Sequence, residues 1–222
     1  MKVLAVVAFF AVLLAPAVAS AHPHIWIAQH VRVVSKDGKF THVEIEWRFD
    51  PYSSEIEIPL IDENQDGKFS PKEVKSLGEE MIPELQNYGF LTWLNTGGKD
   101  FRPPKRPTFN ARIDAPASFK PGDWDRSAGD SGMAMPPNKQ AKPAEAPKKA
   151  GPRNLVYLLR FELPAPVAEF TVATFDPDDF MRVEVDKTTL PAGCTIAKHP
   201  SLKAEFVRGY PVFADVVRCR QP

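Results

Sequence analysis

The sequence predicts an α+β fold, mostly antiparallel β and sandwich-like, with one helix after an acidic loop and a long disordered insertion. Three observations carry this. Short runs of alternating apolar and polar residues recur between turn residues, as in Val43, Ile45, Trp47 and Phe49 against His42, Glu44, Glu46 and Arg48. A single stripe at helical spacing, Val74, Leu77, Met81, Leu85 and Tyr88, follows the acidic loop. Residues 103–153 hold ten of the 23 prolines and few large apolar side chains, a composition that cannot bury enough surface to fold.

Taken in order, residues 1–21 read as an export signal. Lys2 gives the positive start, Val3 to Leu14 the apolar run, and small residues precede a cut after Ala19 or Ala21. Ile25–Val34 and Phe40–Phe49 are strands joined by the turn 36–39. Ile56, Ile58 and Leu60 alternate as in a strand, and Pro59 argues against a helix there. The helix is expected over 71–88, with Pro83 as a kink. A second hairpin, Phe90–Leu94 with Lys99–Arg102, turns at 95–98. Residues 22–113 are thus the first part of one β-rich domain and 154–222 its second part, separated by the insertion 114–153. The second part offers strands at Leu155–Leu163, Phe170–Phe175, Arg182–Asp186 and Phe213–Arg218.

The acidic loop, residues 62–73, matches a twelve-residue EF-hand calcium loop. Asp62, Asn64, Asp66, Ser70 and Glu73 supply oxygens at positions 1, 3, 5, 9 and 12, Lys68 its backbone carbonyl at position 7, and Gly67 the sharp turn at position 6. A hard cation wants six to eight oxygens, which this spacing gathers round one point. A turn followed by a capped helix explains Ser70, Pro71 and Glu73 equally well, but leaves Asp62, Asn64 and Asp66 on alternate positions unexplained. With no second loop and no entering helix expected, a bound Ca²⁺ would be structural, with affinity on the order of 10⁻⁴ to 10⁻³ M.

His22, His24 and His30 crowd the start of the exported chain, and His42 follows on the next strand. A chain beginning at His22 could chelate through its amine and imidazole. One beginning at Ser20 could offer amine, amides and imidazole in a plane. Such nitrogen sites suit Ni²⁺, Co²⁺, Zn²⁺ or Cu²⁺ rather than Ca²⁺. The plainer reading is an edge strand decorated with histidines. His199 is expected in a surface loop. Cys194 and Cys219 are the two cysteines, and an exported chain should join them. Lys plus Arg and Asp plus Glu are equal at 28 each, so no basic field marks a nucleic-acid partner. No segment beyond the leader is long and apolar enough to span a membrane. Asp176, Asp178 and Asp179 read as a turn, and no nucleophile or metalloprotease motif is present.

His22-Pro23-His24 after the leader, the strand ending Trp47-Arg48-Phe49-Asp50, the acidic loop, and Phe175-Asp176-Pro177 followed by Phe180 together resemble one family. It is the domain-of-unknown-function family 1007, described as a periplasmic component of an uncharacterised ABC-type transport system. The resemblance spans nearly all of the exported chain except the insertion. Members are often encoded beside, or fused to, nickel/cobalt-type membrane transporters, which implies divalent-metal handling and a membrane metal transporter, nickel/cobalt-type or ABC-type, as partner. Phe175 and Phe180 stand where the family leads one to expect tyrosines. The expectation is therefore a periplasmic, non-enzymatic metal-binding accessory protein, with Ca²⁺ in the loop and a transition metal on the N-terminal histidines. The alternatives are a calcium-stabilised interaction module without a transition-metal role and, behind it, a copper oxidase.

Overall fold

The computed structural model describes residues 25–98, 100–103, 105–115, 153–178, 180–207 and 210–221. The leader, His22, His24 and nearly all of the insertion 114–153 lie outside these. Ten strands form two five-stranded sheets among the described residues. β1 (Ile25–Lys36) and β2 (Lys39–Phe49) make the expected hairpin, with Asp37 and Gly38 in the left-handed region at the turn. β5 (Thr108–Asp114), β6 (Asn154–Val167) and β8 (Met181–Val185) complete the first sheet in the order β5-β6-β2-β1-β8. Its pairs are antiparallel except β1 with β8. The second sheet runs β4-β3-β7-β10-β9, from β3 (Thr92–Asn95), β4 (Asp100–Phe101), β7 (Glu169–Thr174), β9 (Cys194–Val207) and β10 (Tyr210–Arg220).

The sheets face each other across one apolar core. Val43, Ile45 and Trp47 of β2, Leu159 and Phe161 of β6, and Leu94, Val172 and Val217 of the second sheet are almost fully buried in it. Phe40 and Phe170 meet edge to face across the gap with ring centroids 5.2 Å apart, the offset geometry aromatic quadrupoles prefer. The Cys194–Cys219 disulfide ties β9 to β10 at a directly paired position.

Two helices, not one, flank the acidic loop. α1 (Pro51–Ile61) stands where alternation suggests a strand. Asp50 caps it, accepting from the Ser53 amide at 2.9 Å and the Ser53 hydroxyl at 2.6 Å, and Pro51 fills the first helical position, where no N–H is needed. Of the three alternating residues only Ile58 faces inward, while Ile56 and Leu60 face out. Pro59 is accommodated within the last turn. α2 (Pro71–Asn87) is the expected helix, continuous through Pro83 and capped at its end by Tyr88. It lies on β5, where Gly78 lets the Phe109 ring approach so closely that a Cβ there would meet it at 3.0 Å.

β9 is absent from the sequence-based expectation. It contains Pro200, and as the terminal strand of its sheet it loses little by the missing donor. His199 therefore sits in a strand rather than a surface loop, 8% exposed, with Nε2 3.2 Å from Asp100 Oδ2 and Nδ1 accepting from the Leu202 amide at 2.9 Å.

Candidate cation-binding loop

The sequence makes a helix, a twelve-residue loop and a helix, with both helices resting on the sandwich. The start of the loop is fixed first. Asp62 closes α1 by donating its amide to Ile58 O at 2.8 Å, and the residue is 3% exposed. From there Asp62 Oδ1 accepts from the Asp66 amide at 3.1 Å and Oδ2 from the Gly67 amide at 2.9 Å. One side chain thus folds the first half of the loop around itself. Asn64 Oδ1 also accepts from the Asp66 amide at 3.0 Å, and Asp66 Oδ1 from the Lys68 amide at 2.9 Å. Gln65 and Gly67 take positive φ, 57° and 83°, which produces the tight reversal; the second of these falls where the motif requires glycine.

The second half is closed by a reciprocal pair. Ser70 Oγ accepts from the Glu73 amide at 3.3 Å while Glu73 Oε2 accepts from the Ser70 amide at 2.7 Å, a capping box. The Ser70 amide holds the Glu73 carboxyl below its ordinary range, with smaller contributions from the Asn64 and Glu63 amides at the loop's beginning. Phe69, at position 8, is packed against the core, so the loop is anchored in its middle as well as at its ends.

The donors available to a cation are three carboxylates (Asp62, Asp66, Glu73), the Asn64 amide oxygen, the Ser70 hydroxyl and the Lys68 carbonyl. All are hard oxygens, which fit Ca²⁺ and do not fit softer metals. The carboxylates accept one or two N–H bonds each, and an ionised carboxylate has about four lone-pair sites. Among the described residues no group of three or more His, Cys, Asp or Glu side chains is arranged to hold a metal ion. The capping box accounts for that in part: it turns Glu73 toward the Ser70 amide. Arg153 also borders the loop, with Nη1 3.9 Å from where a Gly67 Cβ would stand.

The histidines of the expected transition-metal site are not gathered. His22 and His24 lie outside the described residues. His30 pairs across the hairpin with Glu46, and His42 with Val34. They occupy one face but sit four residues apart in register, roughly 13 Å along the strands, too far for one ion. His42 Nδ1 is 3.0 Å from the Thr41 hydroxyl. His30 instead lies between two carboxylates, Nδ1 3.5 Å from Glu46 and Nε2 3.2 Å from Asp186. Burial, with the charges of Arg48 and Arg32, nonetheless holds its pKa below 6.5 against Glu46 and Asp186.

Glu46, only 2% exposed, is the centre of this cluster, reached by Arg48 at 2.7 Å, Arg112 at 3.0 Å and Arg32 at 3.3 Å. Alternation puts Glu46 on the polar face correctly but gives no sign that this part of the face is buried. Asp176 accepts from the Asp178 and Met181 amides, both at 3.0 Å, and so serves a turn.

A family described as "Protein of unknown function (DUF1007)" has a model that matches residues 7–208. The chain belongs to DUF1007. No curated protein and no solved structure matches it. Among the described residues of this DUF1007 protein, no helix is long and apolar enough to cross a membrane.

Proposed function

We propose that this DUF1007 protein is an exported, non-enzymatic metal-binding accessory protein of the periplasm. The Asp62–Glu73 loop holds one structural Ca²⁺ through Asp62, Asn64, Asp66, the Lys68 carbonyl, Ser70 and Glu73. The observation that carries the calcium reading is the closure of the loop around Asp62, between two helices and with glycine at the left-handed sixth position. His22 and His24 capture Ni²⁺, Co²⁺, Zn²⁺ or Cu²⁺ for a membrane transporter. Support for that part is the placement of both residues directly after a leader-like segment. The disulfide supports an oxidising compartment.

Native mass spectrometry of protein exported and processed by a bacterial host, without an N-terminal tag, tests this reading. It is expected to find one Ca²⁺ and one transition-metal ion on a chain beginning at His22 or Ser20. No second metal after exposure to Ni²⁺, Co²⁺, Zn²⁺ and Cu²⁺ would remove the delivery role. A second reading, a calcium-stabilised interaction module, is favoured by one observation: the outward face of α1 is apolar.

A further inference from the structure

α1 divides its apolar residues between its buried and its exposed side. Its inward side includes two hydroxyls, Ser53 and Ser54, beside Ile58 and Ile61. Both hydroxyls are used: Ser53 Oγ donates to Asp50 Oδ2 at 2.6 Å, and Ser54 Oγ donates to Asp50 O at 2.7 Å while accepting the Leu155 amide of β6 at 2.9 Å. The helix is thus fastened to the sheet by hydrogen bonds as well as by hydrocarbon. Its outward side carries Tyr52, Ile56 and Leu60, which are 68%, 48% and 72% exposed. The spacing i, i+4, i+8 sets them in one stripe, where a surface helix ordinarily presents polar residues. Single exposed apolar residues need no explanation, but a continuous stripe marks an interaction site.

Charge decides what kind of partner fits. α1 contains no Lys, Arg or His; its charges are Glu55, exposed on one flank of the stripe, and Glu57, half-buried on the other, and Glu63 is exposed just beyond its end. A second copy related by a two-fold axis would bring Glu55 and Glu57 against themselves, and like charges in contact are repulsive. An anionic lipid surface is repelled for the same reason. A helix with apolar anchors at i, i+3, i+4 and i+7 and Lys or Arg along their flanks satisfies both the stripe and its acidic borders. α1 is about 16 Å long, enough to contact two to three turns of such a partner.

We propose that the Tyr52–Ile56–Leu60 face of α1 docks a basic amphipathic helix of another protein. This names the partner class for the interaction-module reading and rests on it.

The test uses the full chain and a fluorescently labelled Leu/Lys peptide with that anchor spacing, alongside a Leu/Glu peptide of the same pattern and vesicles of phosphatidylglycerol. Saturable binding of the Leu/Lys peptide is expected. It should weaken at least tenfold in Ile56→Asp/Leu60→Asp and also in Glu55→Lys/Glu57→Lys, which keeps the apolar stripe. Glu55, Ile56 and Leu60 are exposed and Glu57 is half-buried, and circular dichroism checks that each variant is folded. Equal peptide binding by wild type and variants would overturn the proposal. So would comparable binding of the Leu/Glu peptide, vesicle binding that depends on Ile56 and Leu60, or self-association abolished by their replacement. Melting with and without Ca²⁺ on the same samples separates the two claims: a calcium shift without peptide binding refutes this proposal alone.

Discussion

At the scale of the residue, Asp62 and His30 show how position decides what an ionisable group can do. Asp62 is nearly buried, yet its oxygens meet N–H groups of its own loop, so its carboxylate is held at the point where a cation would enter. His30 is buried beside two carboxylates and is still harder to protonate than in water, because desolvation, together with the charges of Arg48 and Arg32, outweighs both. The unfolded chain takes up a proton near the ordinary value of 6.5, which the folded chain accepts only at lower pH. Stability from this group is therefore complete above that value and falls as pH drops below it. For Glu46, burial pushes the pKa up, but the hydrogen bond and charge of Arg112, with Arg48 and His30, outweigh it, and the carboxyl titrates below 4.5. Its contribution is present above 4.5 and disappears as pH falls through the folded value. His30→Gln should flatten the stability profile as pH falls below 6.5 and leave the steeper acid limb near Glu46's range. Urea midpoints across that range measure it, and parallel curves for wild type and variant would show that His30 takes no part.

At the scale of the element, the hairpin and α2 were legible and α1 was not, for opposite physical reasons. Val43, Ile45 and Trp47 all point into the core, so period two survives in the sequence. α2 owes its legibility to a stripe that faces the sandwich and a capping box that marks its start. In α1 the apolar residues are divided between the buried and exposed sides and serines occupy inward positions, so helical periodicity is erased. Hydrogen bonding holds α1 in place, and this can be tested. Ser54→Ala removes the acceptor of the buried Leu155 amide and should cost about 1–3 kcal/mol, the penalty for a buried donor left without a partner. Chemical denaturation reads this directly; a loss below a few tenths of a kcal/mol would mean that apolar contacts alone seat the helix.

At the scale of the whole molecule, the two halves of the sequence share both sheets. β6 and β8 join β1, β2 and β5, while β7, β9 and β10 join β3 and β4. The loop between α1 and α2 is tied to that framework through Ile58, Ile61, Phe69, Ile82 and Leu85. A cation that stiffens the loop would therefore stabilise the sandwich itself; the turn at Gly67 and the Ser70–Glu73 cap were readable from spacing alone because both are local. The histidine arrangement was not readable, since it depends on register between strands and on which part of a sheet face is covered. The most direct measurement is thermal melting of the full chain in chelator and in 10 mM Ca²⁺, beside Asp66→Ala, whose side chain is exposed. With Kd on the order of 10⁻⁴ to 10⁻³ M, binding at 10 mM adds about 1.4–2.7 kcal/mol, or roughly 3–10 °C in a chain of this size. The account predicts that shift in wild type and its loss in Asp66→Ala. No shift in wild type, or an equal one in the variant, would contradict it.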